Sequence, residues 1–198
     1  PGKVLILDWE TSQLEINARV SMIRRGLGLE GKSHIWYKPM AAGLATDLET
    51  IKSIVVSKGI SLVIIDSIGS ACMGEPESAE VVLRMFAAVR SLGVSSLCID
   101  HTNKENALFG SVYKFNASRQ IFEMKKHQNS NEECITAAIF HRKANNSKII
   151  KDIGIVLSFG EGDVTFTRED IRNTPLEQEM RMVCLLYTSP SPRDGLLS

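Results

Sequence analysis

Three polar residues stand where apolar runs give out: Glu10 after "VLILDW", Asp66 after "LVII" and His101 after "SLCID". Each has a plain reading on its own. Glu10 fits the acid at the start of a helix, Asp66 a turn residue, and His101 a histidine at the edge of a core. Asp66 fits a metal ligand equally well, because a hard cation takes carboxylate oxygen. In an open parallel sheet, ligands gather at the carboxyl ends of the strands. All three residues at that one edge make a candidate site.

The surrounding elements must supply such a sheet. Residues 4–7 and 62–65 are continuous apolar runs, the pattern of strands buried on both faces, and "VSSLCID" is a third. "SHIWYKP" reads as a further strand. Helices lie between them. Ser12 is placed to cap one that carries Leu14, Ala18, Met22 and Ile23 on one side and ends near Gly26 or Gly28. Thr46 and Glu49 have capping-box spacing before a second, through Ile51, Ile54 and Val55, which stops at Gly59. A loop with Gly69, Gly74 and Pro76 leads to a third helix over 77–92. That helix has Val81, Val82, Met85, Phe86 and Val89 at helical spacing and Gly93 at its end. This alternation predicts the α/β class, a mostly parallel twisted sheet flanked by helices.

After about residue 118 the texture changes. "RQIFEMKKH", "ECITAAIFHRK", "IGIVLSFG" and "DVTFTRED" are strand-like and joined by short polar turns. They are expected to be antiparallel strands added at the C-terminal side, extending or edging the same sheet of one domain over 1–183. The run "CLLYTSPSPRDGLLS" is a Ser/Pro-rich low-complexity segment that closely resembles a translated sequencing adapter. Residues 184–198 are therefore expected to be a disordered tail outside the fold.

Bulk composition narrows the class. Hydrophobic residues at 43% and charged ones at 23% are those of a soluble globular protein. Lys+Arg and Asp+Glu both number 23, so no global positive field announces nucleic acid. Between residues 101 and 151, however, nine Lys/Arg face four Asp/Glu, a local excess that suits either a solvated face or a phosphate-rich partner. The four cysteines form no C-x-x-C pair, which argues against a zinc site or disulfide framework, and Cys98 and Cys134 read as small buried hydrophobes. No signal peptide or membrane-length apolar run is visible, so a cytoplasmic location without membrane contact is expected.

The ordered set "VLILDWE", "LVIIDSIGS", "CIDHTNK", "FGSVYKFNASRQIFEMK" and "FHRKANN" covers roughly residues 3–160. It resembles the RecA-like P-loop ATPases of the AAA family, and among them the RepA-like branch of plasmid and phage replicative helicases (AAA-25 type). The resemblance implies ATP and Mg²⁺ as cofactors, single-stranded DNA as partner and a homo-oligomeric ring. On it, Asp66 matches the Walker B aspartate that holds Mg²⁺ mainly through its water shell, with Ser67 beside the nucleotide. Glu10 matches the acid that orients and deprotonates water. His101 matches the strand-end sensor of the terminal phosphate. Gly110, Ser111 and Arg119 match a segment that, with Lys104 and Lys114, faces DNA or a neighbouring subunit.

Two departures from that pattern matter. "HRKANN" resembles a K-x-R finger inserted into a neighbour's site, but only Lys143 is retained and Asn145 stands in the arginine position. Asparagine lacks the cationic fork, so Arg142, Arg119 or Lys143 would have to substitute. In addition, no G-x-x-x-x-G-K-[ST] occurs among the 198 residues. The resemblance places that loop upstream of the first strand, and the chain is expected to begin inside the domain. A competing expectation is a non-motor DNA-binding or regulatory module of the same fold, using ATP for assembly. A Rossmann-type enzyme has no support, because no G-x-G-x-x-G follows the opening strand.

Overall fold

The computed structural model describes residues 2–75, 78–101, 112–127, 133–173 and 176. The tail expected over 184–198 lies outside them. The chain divides into two compact units, Pro1–Ser21 with Glu30–Arg119, and Met22–Leu29 with Gln120–Ser198.

In the first unit, β1 (Val4–Asp8), β2 (Ile35–Pro39), β3 (Leu62–Asp66) and β4 (Ser95–Ile99) form a parallel sheet in the order β2-β1-β3-β4. The helices are α1 (Gln13–Gly26), α2 (Leu48–Lys58), α3 (Ile68–Cys72), α4 (Ala79–Ser91) and α5 (Val112–Ala117), and the unit boundary falls within α1. Leu5 and Leu7 of β1 and Val63 and Ile65 of β3 share one core with Ile51 and Val55 of α2 and Val82, Met85 and Phe86 of α4. The alternate residues fare differently. Ile6 and Ile64 are only half-buried, and Leu97 and Ile99 are 49% and 38% exposed. The expectation of strands buried on both faces is thus corrected to one. Part of the reason is α1, which was expected to pack through Leu14, Ala18, Met22 and Ile23 but buries no residue.

Local signals set most helix ends. Ser12 and Glu15 form the reciprocal capping box: each backbone N–H reaches the other's side-chain oxygen, at 3.1 and 3.2 Å. Thr46 does not cap α2; Asp47 takes that position without a side-chain bond. Gly59 ends α2 in the left-handed region, φ 63°, where a side chain would be strained. At Gly26 the need is space, because a Cβ there would sit 2.0 Å from the Val164 carbonyl oxygen. The loop expected directly after Asp66 begins instead as α3.

In the second unit, β5 (Gln120–His127), β6 (Cys134–Ala144), β7 (Ile153–Phe159) and β8 (Val164–Glu169) form an antiparallel sheet in chain order. All four strand-like segments are strands. They make a sheet of their own, however, and do not extend the parallel one. Sequential antiparallel neighbours satisfy each other's backbone groups without borrowing an edge, and the unit has its own small core of Ala138, Phe140, Ile171 and Leu176. Among the described residues no helix is long and apolar enough to cross a membrane.

Candidate functional site

Parallel pairing without a register shift brings the strand ends level: Asp8 lies opposite Asp66, and Asp66 opposite Ile99. The anchor is the buried face. Leu7 and Ile65, each one residue earlier, are wholly buried, which fixes where each strand leaves the core. Asp66 therefore emerges at the carboxyl edge, followed by Ser67 through a cis peptide bond. Glu10 follows β1 by two residues, and His101 follows β4 by two.

The side chains meet. The Ser67 hydroxyl, 2% exposed, donates to Glu10 Oε1 at 3.1 Å. His101 Nε2 lies 3.9 Å from the same oxygen, with the imidazole 72% and the Glu10 side chain 51% exposed. Asp66 shares their field. Burial pushes its carboxyl above the ordinary value, the Asp8 and Glu10 charges push it further, and His101 and Arg19 oppose them. The structure thus gathers four sequence-predicted residues, Glu10, Asp66, Ser67 and His101, at one point of the first unit.

A fifth residue was missed. Asp8 is 2% exposed, and its Oδ1 accepts the Glu10 and Thr11 backbone N–H groups at 2.8 and 3.0 Å, while Oδ2 is buried without a partner among the described residues. The signal was present in the sequence, since "VLILD" ends on an aspartate just as "LVIID" does.

The other predicted residues stand apart from this group. Lys104, Gly110 and Ser111 lie outside the described residues. Lys114 is corrected: expected to face DNA, it is 2% exposed on α5, with Nζ donating to Asp100 Oδ2 at 2.8 Å. Arg119 is exposed at the bend before β5. In the second unit, Lys143 is half-buried on β6 opposite Ile121, and Asn145 is exposed just beyond the strand. Arg142, a candidate substitute for the missing finger arginine, is engaged with Glu123 and lies over the Phe140 ring at 4.5 Å. His141 between them accepts the Ile150 N–H at 3.1 Å and stacks on Phe122.

Comparison with known proteins bears on the first unit. Residues 1–107 match the AAA_25 family, described as an AAA domain, over more than half of the chain. The chain belongs to the AAA domain family. The match contains Glu10, Asp66, Ser67 and His101. Among solved structures, the AAA domain chain is similar to a KaiC-like protein from Pyrococcus horikoshii. The identity is 14% and the TM-score 0.59, with 84% of this chain and 76% of that one covered. At that identity the likeness shows the fold, a RecA-like one, and nothing finer. No curated protein matches.

Around Asp66 the AAA domain's edge offers the carboxylates of Asp66 and Glu10 and the Ser67 hydroxyl as oxygen donors, with the His101 imidazole nitrogen beside Glu10. The oxygen set fits a hard cation such as Mg²⁺. Among the described residues no three His, Cys, Asp or Glu side chains are arranged to enclose a metal by themselves. Mg²⁺ keeps several waters and is commonly held by one or two carboxylates plus substrate phosphates, so a cage is not required.

Proposed function

We propose that this chain carries the ATP-hydrolysing core of a ring-forming motor for DNA replication, of the replicative-helicase type. The observation that supports it is the shared Glu10 oxygen, approached by Ser67 and His101 beside Asp66 at the carboxyl edge of the sheet. Phosphoryl transfer asks a protein mainly for positioning and charge compensation. Asp66 would hold Mg²⁺ through its water shell, and the bound ion supplies compensation for the phosphate charge. Glu10 orients the attacking water and takes its proton, with Ser67 holding the carboxylate by its hydroxyl. The exposed His101 imidazole is free to donate to a terminal phosphate oxygen, which makes it a reporter of that group's loss.

A phosphate-binding loop must complete this site, and no G-x-x-x-x-G-K-[ST] occurs among the 198 residues. The edge position of β4, with Leu97 and Ile99 exposed, supports a further element beside it. In the full-length protein, Glu10→Gln should retain Mg·ATP binding and lose at least about 10²-fold in kcat, the range of positioned general bases. Turnover at the wild-type rate would remove Glu10 from the role.

The second reading, a non-motor module that uses ATP for assembly, rests on Asn145 where a finger arginine is expected. The engagement of Arg142 with Glu123 supports it too.

A further inference from the structure

We propose that Asp8 is a positioning residue, whose buried carboxylate fixes the turn that carries Glu10 by accepting the Glu10 and Thr11 backbone N–H groups. Its role in turnover rests on the reading of Glu10 given above; its hold on the turn does not.

Position 8 is an unlikely place for a charge on packing grounds alone. It lies on β1, 2% exposed, directly opposite a second carboxylate, Asp66, on β3. Burying a charge beside a like charge is unfavourable. An apolar β-branched residue would suit the strand without that cost. What the carboxylate contributes is two charge-assisted bonds from one oxygen, at 2.8 and 3.0 Å, to consecutive amides of the turn.

The rest of the turn is tied down around those bonds. The Trp9 amide donates to the Asp66 carbonyl at 3.1 Å and the Trp9 indole to the Ala42 carbonyl at 3.0 Å. The Tyr37 hydroxyl donates to the Thr11 carbonyl. Among the described residues, Asp8 alone holds the amide of Glu10 itself. The Glu10 side chain is about half exposed, and its contacts with Ser67 and His101 are single, so backbone anchoring determines where its carboxylate stands. A catalytic group misplaced by about 1 Å can cost about 10²-fold in rate.

Two variants separate the acceptor from the charge. Asp8→Asn keeps an acceptor oxygen for both amides; Asp8→Val removes it while keeping comparable volume and strand propensity. In the 198-residue chain, amide hydrogen exchange at Glu10 and Thr11 should speed up by at least about tenfold in Asp8→Val, the value of one hydrogen bond to a charged group. Asp8→Asn, which keeps the acceptor but not the charge, should lose less protection than Asp8→Val, and the amides of Leu5 and Val63 should be unchanged in both. Unaltered protection at residues 10 and 11 in Asp8→Val overturns the proposal. Should Asp8→Val not fold, Asp8→Ala removes the same acceptor, and unaltered protection at residues 10 and 11 in it overturns the proposal equally.

In the full-length protein, Asp8→Val should lower kcat for ATP by about 10-fold to 10²-fold with KM little changed, and Asp8→Asn should restore most of it. Equal loss in both variants would refute positioning through the acceptor. Absence of ATP turnover in the wild type would instead refute the proposed function, while the exchange result would still decide whether Asp8 holds the turn.

Discussion

At the scale of single residues, the site is a crowd of negative charge around Asp66. Burial and the Asp8 and Glu10 charges hold its proton more tightly in the folded chain than in the unfolded one. The sign of the linkage follows. Where the folded state binds more protons, stability falls as pH rises, from the ordinary aspartate value of 3.8 up through the raised folded value. Asp66→Asn should flatten that part of the urea stability profile and stabilise the metal-free protein above it. It should also abolish any stabilisation by millimolar Mg²⁺ in thermal melts. An unchanged slope would mean that Asp66 is solvated far better than its position at the strand end implies. The position of Asp8 at the end of an apolar run was legible, and Ser67 followed from the resemblance, but residue type alone does not separate either from an ordinary turn residue. What marks them is burial, and burial is a property of the folded chain.

At the scale of elements, β4 and α5 are linked by the pair between Asp100 and Lys114, at 2.8 Å, with side chains 10% and 2% exposed. Asp100 immediately precedes His101, so this pair anchors the backbone from which the imidazole projects. Breaking one side of a buried pair leaves the other charge stranded. Lys114→Met should therefore destabilise by about 3–5 kcal/mol, and Lys114→Met with Asp100→Asn should recover much of the loss. Urea unfolding of the two single variants and the double variant closes the cycle; independent, additive effects would contradict a coupled pair. The sequence offered little warning here. A lysine in "SVYKFN" reads as surface, and only the short helix α5 turns it inward. The cap at Ser12 and the glycine stop at Gly59 were legible, because both depend on residues a few positions apart; that Glu15 completes the box at Ser12 came from the structure.

At the scale of the whole molecule, 23 basic and 23 acidic side chains cancel. The chain lacks the long-range field that draws a monomer to nucleic acid. If it serves a ring-forming motor, DNA affinity must come from assembly. Fluorescence anisotropy of single-stranded DNA with the full-length protein should then show binding that rises cooperatively with protein concentration and requires Mg·ATP. DNA-stimulated hydrolysis with strand displacement would support the motor, and ATP-dependent assembly without displacement the module. Tight, non-cooperative binding by monomers would count against both.

What the sequence settled alone are the features written in short-range pattern: alternation of apolar strand and amphipathic helix, four later strand-like segments, and polar residues where apolar runs stop. These follow from burial periodicity and chain stereochemistry, which operate over a few residues. Tertiary structure alone decided the rest. It put the later strands into a sheet of their own, left one face of the parallel sheet half open, turned Lys114 inward and set Asp8 beside Asp66. Each of these depends on which distant segments pair and which surfaces they cover, and local pattern does not encode that choice.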